Sequence, residues 1–202
     1  MMRKLQNILI LTALLVAASC TKQSMATIEG AITEANEKTL YLDFLGVTKV
    51  NVCDSAKLDA DGNFRFQVPV PECFDFYRLR IGKEVVYLSV DSTETLRVNA
   101  ALPTMSVAYE VEGSEDNLML KELVRKQGEL QSNVLRVSRN AGPEIGIASQ
   151  RIDTLVERYK REVRMEYIYP DPGKPYAYFA LFQRLNGVHI FDPTLTRDDI
   201  RC

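Results

Sequence analysis

The sequence predicts an α+β chain: an antiparallel β-sandwich or open barrel over residues 26–112, then an antiparallel helical hairpin and a short third helix. Three observations carry this. From Ala26 to Glu112 apolar and polar residues alternate at a period close to two, with turn residues about every eight to twelve positions. After Gly113 the apolar spacing changes to steps of three, four and seven, as on helices. No helix-forming crossover separates the strands, and a parallel sheet would need one.

The strands follow in order. Ile28 and Ile32 alternate with Thr27 and Ala31 around Gly30, and Leu40, Leu42 and Phe44 with Tyr41 and Asp43. Phe64, Phe66 and Val68 alternate with Arg65 and Gln67. "FDFYRLRI", "EVVYLSV", "ETLRVNA" and "SVAYEVE" repeat the pattern. Ser114 then caps a helix whose first residues, Glu115 and Asp116, suit the positive end of its dipole. Leu120, Leu123, Leu130, Val134 and Val137 form its apolar stripe, and residues 140–143 break it. A second helix is expected from near Ser149, with Ile152, Leu155, Val156, Tyr159 and Val163 on one face. The stripes are expected to pack on each other as a hairpin. After "YPDPGKP", the segment "YAYFALFQRL" predicts the third helix.

The stretch "CDSAKLDADGNFRF", residues 53–66, has the acidic spacing of a calcium loop. An EF-hand starting at Asp59 would need Gly at its sixth position and Glu at its twelfth. Those places hold Phe64 and Val70. Asp61-Gly62-Asn63 instead has the chemistry of a tight hairpin turn, because Gly and Asn tolerate positive φ. The segment is read as a turn between strands.

The N-terminus reads "MMRKLQNILILTALLVAASCTKQ". Its uncharged run, Ile8 to Ala18, would rise only about 16 Å as a helix, short of a hydrocarbon core of about 30 Å. With Arg3 and Lys4 before it and Ala17-Ala18-Ser19 after it, this is a secretion signal over residues 1–19. The small residues followed by Cys20 resemble the lipobox of bacterial lipoproteins. That resemblance implies cleavage before Cys20 and attachment of acyl chains to it, membrane lipid being its first partner. Each buried methylene adds about 0.8 kcal/mol, so several chains make a durable anchor. Thr21 after the cysteine, in place of Asp, implies delivery to the outer membrane, and the absence of an acidic cluster next to it implies a periplasm-facing domain.

Loss of residues 1–19 leaves 23 basic against 27 acidic side chains, a net charge of −4. Such a chain lacks the clustered Lys and Arg of a nucleic-acid binder. Cys53, Cys73 and Cys202 remain, with no C-x-x-C and no zinc spacing. Cys53 and Cys73 flank the turn and are the candidate disulfide in an oxidising compartment. No G-x-S-x-G elbow or Gly-rich phosphate loop is present. His189, the single histidine, lies between Val188 and Ile190 and reads as a packed or partly exposed side chain rather than a catalyst. No catalytic residue, metal site or cofactor is implied. Tyr77, Tyr87 and Tyr109 are candidates for a ligand face, although tyrosine is also an ordinary strand residue.

"GAI", "TLYL", "VCDSAKLDADGNFRF", "FYRLRIGKEVVYLSVDSTETLRV" and "VEGSEDN" together resemble an N-terminal domain of unknown function in bacterial lipoproteins. In TlpA-like and peroxiredoxin-like thiol–disulfide interchange proteins that domain precedes a thioredoxin-like domain. The resemblance runs from about Ile28 to Asn140, carried most by D-S-x-x-x-D-x-D-G-x-F-x-F at Asp54 to Phe66 and G-S-x-x-N at Gly113 to Asn117. None of that family's catalytic cysteines has a counterpart here. The expected organisation is a signal peptide (1–19), a tether (20–25), a β-domain (26–112) and a helical connector region (113–202). The expected role is a lipid-anchored, non-catalytic accessory domain that positions a thioredoxin-like partner or a client protein. The alternatives are an envelope ligand- or glycan-binding module and a truncated thiol–disulfide oxidoreductase. Metabolic labelling with a fatty-acid probe should mark the wild-type chain and leave a Cys20→Ala variant unlabelled; equal labelling of both removes the anchor.

Overall fold

Eight strands between Met25 and Glu112 form two four-stranded sheets in the computed structural model, which describes residues 23–142 and 145–191. The signal segment, Cys20 and Cys202 lie outside the described residues. The strands are β1 (Met25–Thr33), β2 (Thr39–Leu45), β3 (Val50–Lys57), β4 (Asn63–Pro69), β5 (Asp75–Ile81), β6 (Glu84–Val90), β7 (Thr95–Ala101) and β8 (Tyr109–Glu112). The first sheet has the order β4-β1-β7-β8 and the second β3-β2-β5-β6. Of the two all-β forms expected, the sandwich is the one found, since the sheets do not close on each other.

Alternation sorts the side chains. Ala26, Ile28 and Ile32 of β1, Phe64, Phe66 and Val68 of β4, and Leu96 and Val98 of β7 point inward from the first sheet. Leu40 and Leu42 of β2, Tyr77, Leu79 and Ile81 of β5, and Val86, Leu88 and Val90 of β6 meet them from the second. One core results. Burying a Leu, Ile, Val or Phe side chain contributes about 1.5–3 kcal/mol, so this layer dominates the domain's stability.

Two expectations about pairing are corrected. The sheets are not wholly antiparallel: β1 pairs with β7 in parallel, Ile28 opposite Leu96 and Gly30 opposite Val98. Parallel neighbours need a long connection; here it is the second sheet, through which the chain passes between β1 and β7. The Asp-Gly turn likewise does not close a hairpin, because β3 and β4 belong to different sheets. It is a turn that carries the chain from one layer to the other. The Asp59 carboxylate accepts the N–H of Asp61 at 3.0 Å and of Gly62 at 2.9 Å. Gly62 has φ +71°, and a Cβ there would lie 2.0 Å from the Ile32 carbonyl oxygen.

The helical region follows as α1 (Glu115–Arg139), α2 (Ile145–Val163) and α3 (Pro175–Leu181). The α2 helix starts earlier than Ser149 and runs on into a π-helical turn, Arg164–Ile168. Leu123, Leu130 and Val134 of α1 pack with Tyr159 and Val163 of α2, the expected stripes, around a second core. Lys126 of α1 bonds Glu162 and, at 3.2 Å, Glu166. The α3 helix ends before "QRL", because Asn186 (φ +51°) and Gly187 (φ +83°) turn a small hairpin, β9 (Arg184–Leu185) with β10 (Val188–His189). Asn-Gly is a strong hairpin signal. Tyr159 donates its hydroxyl to Gln183 Oε1 at 2.6 Å and ties α2 to this hairpin. No helix among the described residues is long and apolar enough to cross a membrane.

The two cores are joined at Asn117. Its amide accepts the Ser89 N–H at 2.9 Å and donates to the Ser89 carbonyl at 2.8 Å, both residues being 2 % exposed. The amide therefore continues the ladder of β6 as one more strand residue would. The segment before it is shaped for this. Gly113 has φ +97°, with the Thr95 carbonyl oxygen 2.1 Å from where a Cβ would be. Ser114 then caps α1 by accepting the Asn117 N–H. Asn117→Ala should cost about 2–4 kcal/mol in urea unfolding, since it strands two buried backbone groups. A loss under about 0.5 kcal/mol, the size of an ordinary surface change, contradicts the clamp.

Candidate functional site

The outer face of the second sheet is where the helical region leaves a concave surface. On β5 the residues Phe76, Arg78 and Arg80 alternate with the core-facing Tyr77, Leu79 and Ile81. Directly opposite partners share a face, so Ser89, Tyr87 and Val85 of β6 lie beside them on one side, and Asp43 and Tyr41 of β2 on the other. The α3 helix sits over one end. Phe179 lies 5.6 Å from Phe76 and 5.4 Å from Tyr87, and Tyr178 stacks at 16° and 6.2 Å on Phe76.

Beside α3 this end opens into a groove of about 510 Å³ between the β2–β3 turn, the start of β5 and the helix. Phe44, Phe74, Phe76, Tyr178, Phe179 and Phe182 supply its rings, and Leu45, Gly46 and Val47 the rest of the apolar wall. Phe182 is 49 % exposed, Tyr178 42 % and Val47 99 %. Asp75 is the one charged residue lining it. Its strand position puts it on the face of Tyr77, away from Arg78 and Arg80, and burial raises its pKa.

Next to the groove lies an ion cluster. Asp43 is fully buried. Arg78 donates Nε–H to its Oδ2 at 2.7 Å; Arg80 donates Nε–H to Oδ2 at 2.7 Å and Nη2–H to Oδ1 at 3.1 Å. The Arg80 bond, followed by that of Arg78, holds the Asp43 carboxyl below the usual carboxylate range against the opposing effect of burial. The same bond raises Arg80, whose guanidinium also lies 4.6 Å from the centre of the Tyr41 ring. One carboxylate thus serves two cations. The outer face has an apolar end and an end with one positive charge in excess.

A larger trough, about 870 Å³, runs along α1 past Tyr87 and Tyr109. Its walls mix Val85, Val107, Val124 and Leu135 with Lys121, Arg125, Gln127, Glu129, Gln131 and Asn133, a larger polar share than in the aromatic groove. Ligand seats are mainly apolar with few polar groups, so the aromatic groove is the better-formed site.

The residues singled out from sequence are scattered. Tyr77 is in the sandwich core at 4 % exposure, and burial pushes its hydroxyl up to about 12. Tyr87 is on the outer face and Tyr109 is buried under Lys121, so these two share the polar trough and Tyr77 does not join them. Cys53 and Cys73 are both exposed free thiols. Their expected bond is not formed in the structure: Cys53 sits on β3 and Cys73 in the connection before β5. Burial raises the Cys53 thiol, which makes it a poor nucleophile. His189 is half-buried in the β9–β10 hairpin, with Nε2 2.9 Å from Arg184 Nη2. Asp43, Arg78, Arg80 and the α3 rings were not singled out from sequence. A signal did exist, since Arg78 and Arg80 alternate with core residues on a strand whose outer face had to meet something.

A family model described as a domain of unknown function (DUF4369), a family found in bacterial lipoproteins, matches residues 26–120. The match spans all eight sandwich strands and the start of α1, including Gly113, Ser114 and Asn117. No curated protein matches the chain. Among solved structures, the crystal structure of an (S)-allantoin synthase is similar over 47 % of this chain, at 8 % identity and a TM-score of 0.31; this chain spans about half of that one, 46 %.

The sign of the Asp43 effect follows from its lowered pKa. Its stabilising contribution is complete above the unfolded carboxyl value near 3.8 and is lost as pH falls through the lower folded value. In urea unfolding, the stability gap between wild type and Asp43→Asn should therefore be larger at pH 6 than at pH 2.5. A gap independent of pH removes the ion cluster from the stability of the sheet.

Proposed function

We propose that this chain is a non-catalytic ligand-binding module of the cell envelope, held on the outer membrane through lipid on Cys20, with the aromatic groove beside α3 as its ligand seat. The carrying observation is the wall of six rings around about 510 Å³, two of them exposed by more than two-fifths. A folded domain gains nothing by leaving Phe182 and Tyr178 half in water beside Val47. Clustered exposed apolar surface of this kind marks sites of contact. The volume falls within the range of small-molecule sites, about 300–1,000 Å³. The polar groups for ring-hydroxyl recognition are scarce along it, which favours an apolar occupant over a glycan.

The second reading, an accessory domain that recruits a thioredoxin-like partner, takes its support from the resemblance of Asp54–Phe66 and Gly113–Asn117 to the N-terminal domain of thiol–disulfide interchange lipoproteins. The structure gives both segments architectural work in the turn and the clamp. Burial raises the Cys53 thiol and so lowers its thiolate fraction. These points weigh toward the ligand reading.

The neutral dye N-phenyl-1-naphthylamine should bind with a rise in fluorescence. Phe182→Ala, at a half-exposed position that costs the fold little, should weaken binding about five- to thirtyfold, the effect of losing about 1–2 kcal/mol of ring contact. Unchanged binding in this variant, or none in wild type, sinks the groove as the seat.

A further inference from the structure

Building on the ligand seat above, we propose that its natural occupant is a small apolar oxyanion, whose charged end is taken by Arg78 and Arg80 while its apolar body lies in the groove.

Asp43 neutralises one arginine; the second has no other carboxylate bonded to it among the described residues. Both guanidinium groups complete the hydrogen bonding of the buried Asp43, so each is held in place by it, and the trio keeps one positive charge in excess. The atoms used point the same way. Arg78 spends only Nε on Asp43, and Arg80 spends Nε and Nη2. Both Nη groups of Arg78 and Nη1 of Arg80 make no bond to any described residue, and about a quarter of each side chain is exposed. Guanidinium N–H groups form a fixed fork that fits the two oxygens of a carboxylate or a phosphate-type group. The buried Asp43 aligns two such forks before any ligand arrives.

Position links this charged end to the groove. Arg78 is two residues from Phe76 on the same face of β5, one step of about 6.7 Å. It also pairs directly with Tyr87, which is covered by Phe179. Neither arginine lines the groove itself, so a molecule with its apolar part against Phe182 and Phe76 has to extend along β5 past Phe179 to meet Arg78. The α3 helix adds no charge between its Pro175 and Leu181; Asp75 lines the groove but alternates onto the face away from Arg78 and Arg80, which orients the charged end of an anion toward the arginines.

Two dyes of one ring system separate this proposal from the seat itself. 1-Anilinonaphthalene-8-sulfonate carries an oxyanion, and N-phenyl-1-naphthylamine lacks it. On the full chain the sulfonate dye should bind at least about tenfold tighter, the worth of one charge-assisted contact. Arg78→Gln should abolish that preference, the sulfonate dye's affinity falling to that of the neutral dye on the same variant, whereas Arg78→Lys should keep part of it. Equal affinity for the two dyes in wild type, which needs no variant to fold, overturns the oxyanion while the seat stands. A sulfonate preference that survives in a folded Arg78→Gln chain overturns it as well. Failure of both dyes to bind removes the seat and the oxyanion together.

Discussion

The arrangement of the whole chain depends on one side-chain amide. Asn117 makes both of its hydrogen bonds to the backbone of Ser89, at the far edge of the second sheet. This gives α1 a fixed origin on the sandwich, and everything C-terminal to it is placed from there. The α1 helix carries α2 through their shared core, and α3 is carried in turn onto Phe76 and Tyr87. Hydrophobic packing alone would leave the register of such a helix loosely specified, because apolar contacts are non-directional. The amide supplies direction, and the Gly113-Ser114 corner lets it reach. A segment that reads as a family signature is thus a joint between two layers of structure.

Placing α3 on the sheet has a cost that is visible at the surface. The helix covers part of an outer face that the sandwich core does not need, and it leaves Phe182, Tyr178 and Val47 in contact with water. On the same face a carboxylate is fully buried beneath two arginines. Burial of an ion is stabilising only when its hydrogen bonds are complete, and Asp43 meets that condition by accepting three. Rigid charge and exposed apolar surface lie side by side on elements held by strand pairing, which is the usual condition for recognising a ligand without rearrangement. The free thiols of Cys53 and Cys73 do not line the groove, and burial disfavours ionisation of Cys53.

Much of this chain could be read before folding. The period-two alternation identified core residues of β1, β2 and β4, and the change of period after Gly113 located α1 with its Ser114 cap. Asp59 to Asn63 was legible as a turn because Asx and Gly chemistry is local. These features depend on neighbours within about four positions along the chain, and a sequence displays such neighbours directly. The partition of strands into two sheets was not legible. β3 and β4 are adjacent in sequence with a hairpin-like turn between them, yet each pairs elsewhere, and β1 joins β7 in parallel across about seventy residues. The relation of Cys53 to Cys73 was likewise not legible, because one lies on β3 and the other in the connection before β5. The groove and the Asp43 cluster unite residues from β2, β5 and α3, and only three-dimensional packing decides which of many exposed rings and charges meet. The sequence by itself determined the local elements, through hydrogen bonding and alternation along the chain; the tertiary structure alone decided the neighbours, because long-range contacts are selected by the burial of whole faces.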